Sequence, residues 1–179
     1  MRKITTQEMH RLSVEEFRNS DKLPLTVVLD NVRSQNNIGS VFRSADAFRV
    51  EHVALCGICS TPPHREIHKT ALGAENSVSW SYHENTAECL RGLKDKGYRI
   101  FAVEQVDDSI KMGSNQCSLL SGPCAIVLGN EVEGVQETLL PLCDGALEIP
   151  QYGTKHSLNV SCAAAIVIWE FSKILRIEK

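Results

Sequence analysis

The chain has 179 residues, of which 42% are hydrophobic and 23% are charged, and its formal net charge is −3. This composition is typical of a globular protein in water. The length predicts one domain over residues 1–179, with a helical N-terminal extension over residues 1–23. The negative net charge argues against general electrostatic attraction to nucleic acid, so any nucleic-acid site requires a local basic patch.

The apolar runs and the cysteines restrict the class further. No apolar run approaches the ~20 residues that a membrane helix needs. The N-terminal sequence MRKITTQEMHRL has no apolar signal core, so we expect a cytoplasmic protein without a membrane partner. The seven cysteines are odd in number and scattered, and Cys124 and Cys162 lie in apolar segments. This pattern predicts reduced thiols rather than a disulfide framework.

Strands and helices are predicted to alternate along the chain. A capping box at Ser13 begins a short helix. Strands are predicted at residues 25–29, 52–56, 78–82, 99–103, 124–128 and 145–149. Asn37 stands at the expected cap of the helix after the first strand, and Ser157 is expected to cap the long last helix. The pattern predicts an α/β fold with a mostly parallel six-stranded sheet and helices on both faces.

Common cofactor motifs are missing from the chain. The loop at residues 30–39 has one glycine, whereas a dinucleotide-binding turn needs G-x-G-x-x-G. Cys56, Cys59, His64 and His68 are zinc-ligand residue types, but only four residues separate Cys59 from His64, too few for a finger-type site. We therefore predict no metal site. A small-molecule-binding protein with a redox pair at Cys56 and Cys59 stays an alternative to buried thiols.

Three polar clusters follow the first, fifth and sixth predicted strands. They are Asn37 with Arg43, Gly129 with Glu131, and Ser157 with Asn159. Because the carboxyl ends of parallel strands share one sheet edge, we expect the clusters to meet at a ligand site. Gly129 would let a ligand approach the backbone closely.

Each cluster also has a purely structural interpretation. Arg43 could pair with Asp46 one turn later. Glu131 could be a solvated acid in a turn, and Asn159 could be a local helix cap.

The clusters lie in segments that resemble three motifs of one enzyme family. The segments are NIGSVFRSADAF (37–48), VLGNEVEGV (127–135), and IP (149–150) followed by SLNVS (157–161). In this order and spacing they are similar to the motifs of the SpoU/TrmH family of RNA ribose 2′-O-methyltransferases, which belong to the SPOUT class. The similarity covers roughly residues 25–171, nearly the whole chain.

The resemblance implies a fold, a cofactor and partners. The fold would contain a deep C-terminal trefoil knot, against the general rule that chains are unknotted. The methyl donor would be S-adenosylmethionine, and the protein would be a homodimer with its active site at the subunit interface. The partner would be RNA, either tRNA or rRNA, and not DNA, because the reaction needs a 2′-hydroxyl. A non-catalytic RNA-binding module is the alternative, and the intact polar set argues against it.

The resemblance also implies roles for particular residues. The catalytic set would be Asn37, Arg43, Glu131, Ser157 and Asn159. The cofactor-binding set would be Val103, Glu104, Leu128, Gly129, Asn130, Ile149, Gln151, Ser157 and Leu158. Because a guanidinium is protonated at almost any pH, we expect Arg43 to grip a phosphate rather than to act as a simple base. Further RNA contacts are expected from Arg33, Arg65, Lys69, Lys155 and His156.

Overall fold

A parallel sheet of seven strands forms the centre of the computed structural model, which describes residues 1–5, 7–115 and 120–175. The strands are β1 (Leu23–Asp30), β2 (Val50–Cys56), β3 (Ser79–His83), β4 (Arg99–Val103), β5 (Ile110–Lys111), β6 (Cys124–Leu128) and β7 (Gly145–Glu148). Their order across the sheet is β3-β2-β1-β6-β4-β7-β5, and every neighbouring pair is parallel. The predicted α/β class is confirmed.

The predicted number of six strands was wrong, since the described residues contain one strand more. The additional strand, β5, has two residues and pairs with the end of β7 at the sheet edge. Lys111 of β5 forms an ion pair with Glu148 of β7. The surrounding sequence is polar and has no apolar periodicity, so only the pairing with β7 reveals this strand.

Helices cover both faces of the sheet, as predicted. The described helices are α1 (Val14–Asn19), α2 (Gln35–Ala47), α3 (Arg65–Ala71), α4 (Ala74–Ser77), α5 (Thr86–Asp95) and α6 (Val160–Ile174), with 3₁₀-helices at Gln7–Met9 and Glu137–Leu142. Phe42 of α2 and Phe171 of α6 are fully buried on one face. Leu90 of α5 and Leu139 of the second 3₁₀-helix are buried on the other face. None of the described helices is long and apolar enough to cross a membrane.

The N-terminal segment is attached to the core by α1. Ser13 and Glu16 form the predicted capping box: the Ser13 N–H donates to the Glu16 carboxylate (2.7 Å), and the Glu16 N–H donates to the Ser13 hydroxyl (3.2 Å). Phe17 is buried in the main core cluster. The description of residues 1–23 as an extension of a single domain stays a prediction.

The starts of α2 and α6 differ from the prediction. Ser34 caps α2 and accepts the Asn37 N–H (3.3 Å), so Asn37 lies inside the helix. Asn159 caps α6, which begins at Val160 rather than near Ser157. Serine and asparagine are both favoured caps, so residue type alone does not decide between neighbouring candidates. As a consequence, the Asn37 side chain is available to reach other segments.

Helices α2 and α3 approach each other closely at Gly39. A Cβ atom on Gly39 would lie 2.1 Å from the Thr70 hydroxyl and 2.3 Å from the Ile67 carbonyl oxygen. The Thr70 hydroxyl also donates to the carbonyl oxygen of Asn36 (3.0 Å). Any side chain at position 39 therefore pushes the two helices apart, and glycine sets the orientation of α2 on the sheet.

We expect Gly39→Ala to lower the free energy of unfolding by about 1–3 kcal/mol, because the added methyl group overpacks the contact between α2 and α3. Chemical denaturation measures this change. Gly92→Ala in α5 is the matched control, since a Cβ atom there meets nothing within 4 Å. It should raise the free energy of unfolding by about 0.5–1 kcal/mol, because alanine loses less backbone entropy in a helix. Equal effects of the two substitutions would contradict the packing argument.

Candidate active site

A cavity of about 700 Å³ lies at the carboxyl ends of β4, β6 and β7. Three segments form its walls: the loop after β4, the loop after β6, and the segment between β7 and α6. Every residue predicted to bind the cofactor lines this cavity, namely Val103, Glu104, Leu128, Gly129, Asn130, Ile149, Gln151, Ser157 and Leu158. Ligands of α/β proteins bind at this edge, and the volume suits a small molecule.

Gly129 allows the loop after β6 to fold back on itself. A Cβ atom on Gly129 would lie 2.0 Å from the carbonyl carbon of Gly134 and 2.1 Å from the nitrogen of Val135. The backbone groups of Asn130 and Gly134 exchange two hydrogen bonds of 3.0 and 2.9 Å. The sequence predicted that a ligand approaches the backbone at this glycine. In the structure the chain's own backbone approaches Gly129 on the side where a Cβ atom would lie, and the folded loop becomes a wall of the cavity. The approach of a ligand stays a prediction.

Glu104 and Gln105 connect the cavity loops to one another. The Glu104 carboxylate accepts the N–H of Val135 (3.2 Å) in the loop after β6. A Cβ atom on Gly134, which has φ +70°, would lie 2.3 Å from this carboxylate, so glycine is needed there. The Gln105 side-chain amide donates to the carbonyl oxygen of His156 (2.8 Å) in the segment before α6. The loop after β4 is therefore held by both of the other walls.

The Glu131 carboxylate joins the loop after β6 to the start of α2. Its two oxygens accept the N–H groups of Arg33 (3.0 Å) and Ser34 (3.0 Å) and the side-chain amide of Asn37 (3.0 Å). The Asn37 side-chain oxygen in turn accepts the amide of Asn159 (3.1 Å). Residues from all three predicted motifs thus form one hydrogen-bonded chain, and Glu131 and Asn159 also line the cavity.

Glu131 is held as a carboxylate. Desolvation by the neighbouring segments tends to raise the pKa, but the hydrogen bonds from Arg33, Asn37 and Ser34 outweigh this effect and lower the pKa of Glu131 below its ordinary value. The N–H groups at the start of a helix also favour a negative charge. An ionised carboxylate whose oxygens are occupied by donors accepts a further proton poorly. These contacts make Glu131 a clamp between the loop after β6 and the start of α2, and its place in the catalytic set stays a prediction.

Arg43 lies apart from this hydrogen-bonded chain. It is exposed on α2, six residues after Asn37, which turns its side chain about 120° away around the helix. It is not among the residues that line the cavity. The alternative pairing with Asp46 is not formed, because Asp46 accepts the Ser77 hydroxyl instead (2.5 Å). Within residues 1–5, 7–115 and 120–175, Arg43 makes no side-chain hydrogen bond or ion pair.

The remaining predicted polar and basic residues are spread over the surface. Ser157 and His156 are exposed and line the cavity, and Lys155 precedes them. Arg65 lines a different cavity. Lys69 forms an ion pair within α3 at 3.7 Å. The sequence grouped Arg33, Arg65, Lys69, Lys155 and His156 at one site edge. In the structure His156 lines the cavity and the Arg33 N–H donates to Glu131, whereas Arg65 and Lys69 lie on α3.

The zinc-type residues are engaged elsewhere. The Cys59 thiol donates to the Leu29 carbonyl oxygen (3.3 Å), and the His64 ring accepts the Glu66 N–H (3.2 Å). In the part of the chain that the structure describes, no group of three or more His, Cys, Asp or Glu residues could hold a metal ion.

The cysteine pair is also a poor redox centre. Burial raises the pKa of the Cys59 thiol to about 11, and the neighbouring Cys89 thiol together with burial raises the pKa of Cys56. Both thiols are buried and stay protonated at neutral pH. Because the thiolate is the reactive form, the buried-thiol interpretation is favoured over the redox alternative.

Asp30 is a buried acid that the sequence analysis did not single out. Its side chain accepts the Thr86 hydroxyl (2.7 Å) and the amides of Gln136 (2.8 Å) and Asn31 (3.1 Å). These bonds tie the end of β1 to α5 and to the residue that follows the cavity loop. The sequence signal for Asp30 was an acidic residue at the end of an apolar strand. A carboxylate buried at such a position needs several hydrogen-bond donors.

Comparison with known proteins identifies the family of the chain. Residues 24–169 match the SpoU rRNA Methylase family. The chain is 33% identical over 164 residues to a tRNA (guanosine(18)-2'-O)-methyltransferase of Thermus thermophilus, a match that covers 91% of this chain and 81% of that protein. It is 32% identical over 178 residues to the 23S rRNA (guanosine-2'-O-)-methyltransferase RlmB of Neisseria meningitidis, covering 98% and 70%.

The fold is also similar to that of an rRNA methyltransferase of known structure. An AdoMet-bound rRNA methyltransferase from Sinorhizobium meliloti superposes with a TM-score of 0.75 at 25% identity, covering 87% of this chain and 61% of that one. The family match includes all three motifs and the cavity built from them. The predicted resemblance is thus confirmed, and the chain belongs to the SpoU rRNA methylase family.

Proposed function

We propose that the chain transfers the methyl group of S-adenosylmethionine to a ribose 2′-hydroxyl of tRNA or rRNA. The observation that carries this proposal is the cavity at the ends of β4, β6 and β7, which lies beside the hydrogen-bonded chain of Glu131, Asn37 and Asn159. The Thermus relative is named for a guanosine of tRNA and the Neisseria relative for a guanosine of 23S rRNA. Both RNA classes are therefore candidate substrates.

The residues of the cavity fit S-adenosylmethionine. Leu128, Ile149 and Leu158 supply apolar surface for a flat ring, and Gln151 and the loop backbones supply hydrogen-bonding groups. When bound, the cofactor supplies a methyl group on a positively charged sulfur, which an oxygen nucleophile can accept. The protein itself binds and orients the reactants beside Ser157 and Asn159. Glu131 contributes indirectly, because it keeps α2 and the cavity loop together.

Arg43 has the chemistry to place the RNA. Its exposed guanidinium can bind a phosphate through two parallel hydrogen bonds. A phosphate held in this way positions the adjacent ribose hydroxyl, and a phosphate oxygen can accept the proton that the hydroxyl loses. Positioning of this kind lowers an activation barrier by on the order of several kcal/mol. Arg43 thus acts as a clamp on the substrate and needs no change of its own charge.

A homodimer would bring Arg43 of one subunit toward the cavity of the other. Helix α6 exposes Cys162, Ile166 and Trp169, which lie on one face of the helix. The Trp169 side chain is 54% exposed, and its ring centroid lies 5.6 Å from that of Phe48. An exposed apolar stripe of this kind supports a subunit interface. Such a dimer also gives a reason why Arg43 makes no contact with Glu131, Asn37 or Asn159 of its own subunit.

The C-terminal trefoil knot belongs to the same proposal. Strand β4 lies between β6 and β7 in the sheet. The loop after β4 is bonded to the loop after β6 and to the segment before α6. The segment between β7 and α6 therefore runs close around the loop after β4, which supports a knot. We also expect a single domain over residues 1–179 in the cytoplasm.

Labelled methyl transfer from S-adenosylmethionine to total RNA, followed by nuclease mapping, tests the function. We expect the label in a 2′-O-methylated nucleotide of tRNA or rRNA. Binding of RNA without transfer of the label would favour the non-catalytic module instead.

Arg43→Lys should lower kcat/KM for RNA roughly 100-fold, because lysine cannot reproduce the two parallel hydrogen bonds to phosphate. The free energy of unfolding should not change, since Arg43 is exposed. Arg91→Lys on α5, also exposed, is the control and should leave both quantities unchanged. Near-full turnover by Arg43→Lys would rule out the clamp.

Glu131→Gln should lower the free energy of unfolding at pH 7 by about 1 kcal/mol, a figure reduced for solvent screening because Glu131 is exposed. The folded-state pKa of Glu131 is lowered. Its stabilisation is therefore complete above the unfolded-state pKa and disappears as the pH falls through the folded-state value. The difference between wild type and variant should shrink in acid, as measured by denaturation across pH. Glu133→Gln in the same loop is the control, and a difference independent of pH would exclude the clamp.

Trp169→Glu should convert the dimer to a monomer and abolish methyl transfer, because a charge would lie within the apolar interface. Light scattering coupled to size exclusion measures the mass. Ile58→Glu, at a side chain 63% exposed, should leave the mass unchanged. A wild-type protein that is active as a monomer would refute the proposed dimer.

A further inference from the structure

A second cavity, of about 560 Å³, lies between the loop after β2, helices α3 and α4, and strand β3. It is lined by Pro62, Pro63, His64, Arg65, His68, Glu75, Asn76 and Trp80. None of these residues lines the cavity of the methyl-transfer site. The chemistry already assigned to the chain therefore does not account for this cavity.

Glu75 in the wall of this cavity is a buried carboxylate with an unusual environment. The residue is 9% exposed, and its Oε1 lies 2.5 Å from Nδ1 of His68. Its Oε2 is buried without a hydrogen-bond partner among the described residues. A half-satisfied buried carboxylate lowers stability, so packing alone does not explain its presence. Its structural effect is to fix the ring of His68, whose side chain is 67% exposed.

Positively charged groups gather around the same cavity. Arg65 lines it and makes no side-chain hydrogen bond or ion pair within the described ranges. Arg18 of α1 donates to the carbonyl oxygen of Asn76 (2.7 Å), which places its guanidinium at the rim. Glu75 brings a carboxylate into the same wall, so the local cations of this cavity are the two guanidinium groups. In a chain of net charge −3, such local cations are what contact with RNA requires.

Flat apolar side chains form another part of the wall. Trp80 is half-buried in β3, and Pro62 and Pro63 line the cavity with it. Stacking of a base on an aromatic ring contributes about 1–3 kcal/mol and tolerates every base. A cavity with a flat apolar part and a phosphate-binding part matches one unpaired nucleotide. An inorganic anion would leave the ring unused.

We propose that this second cavity holds one unpaired nucleotide of the RNA substrate, with the base against Trp80 and a phosphate beside Arg65. The identity of the RNA rests on the proposed function. The site gives the enzyme a point of attachment separate from the hydroxyl that receives the methyl group. It would lower KM for RNA without taking part in the chemical step.

Tryptophan fluorescence of the full chain tests this site directly. The protein is first saturated with S-adenosylhomocysteine, so that the other cavity is filled, and is then titrated with the single-stranded pentamer rA5. The chain has two tryptophans, Trp80 and Trp169. We expect quenching that disappears in Trp80→Phe, whose remaining indole is Trp169.

Substitution of Arg65 tests the phosphate contact. Arg65→Ala should raise the dissociation constant of rA5 about fivefold or more, and should reduce the slope of log affinity against log salt by about one unit. With RNA as substrate, the same variant should raise KM and leave kcat unchanged. Arg91→Ala, exposed in α5 on the opposite face of the sheet, is the matched control and should change none of these quantities.

Several outcomes would overturn the proposal. They are an absence of Trp80 quenching, equal effects of Arg65→Ala and Arg91→Ala, and binding of 5′-AMP as tight as that of rA5, which would indicate a free nucleotide. Methyl transfer to total RNA by the same preparation separates this proposal from the proposed function. Transfer without quenching refutes the second site alone, whereas quenching without transfer refutes the proposed function and leaves the site standing.

Discussion

The hydrogen bonds of the Glu131 carboxylate hold together parts of the chain that are far apart in sequence. Its partners at the start of α2 are 94 to 98 residues away, and Asn159 joins through Asn37 across 122 residues. An ionised carboxylate suits the unpaired N–H groups at the start of a helix. Because this contact fixes α2 against the loop after β6, it also fixes where Asn37 and Arg43 can point.

Close backbone approach shapes the cavity at the carboxyl ends of β4, β6 and β7. Gly129 and Gly134 let the loop after β6 fold against itself and against Glu104, and Gly39 seats α2 on α3. Each contact leaves no room for a Cβ atom, so these glycines have a structural role, and the cofactor contact of Gly129 stays a prediction. The side chains around this folded loop are mixed: apolar ones such as Leu128, Ile149 and Leu158 share the wall with polar ones such as Gln151 and Asn159.

The distribution of charge is consistent with the proposed separation of the cofactor site from the RNA contacts. A sulfonium cofactor is positively charged, and a guanidinium in the same cavity would repel it. Arg43 lies outside that cavity, and Arg65 lies at a different one. A chain of net charge −3 can thus hold an anionic polymer by cations placed at separate points on its surface. This arrangement also keeps the exposed guanidinium of Arg43 available for a group from another molecule.

The sequence by itself determined the α/β class, the main strands, the family motifs and the full set of cavity-lining residues proposed for the cofactor. The class and the strands follow from apolar periodicity, which is local, whereas the cofactor set is what the resemblance of the three motifs to the family implies. The tertiary structure decided the rest. It added β5, which exists only through pairing with β7, and chose Ser34 and Asn159 over equally suitable caps. It also left Arg43 outside the first cavity and brought Arg65 and Trp80 to a second one, because the position of a helix or strand depends on packing across long sequence separations.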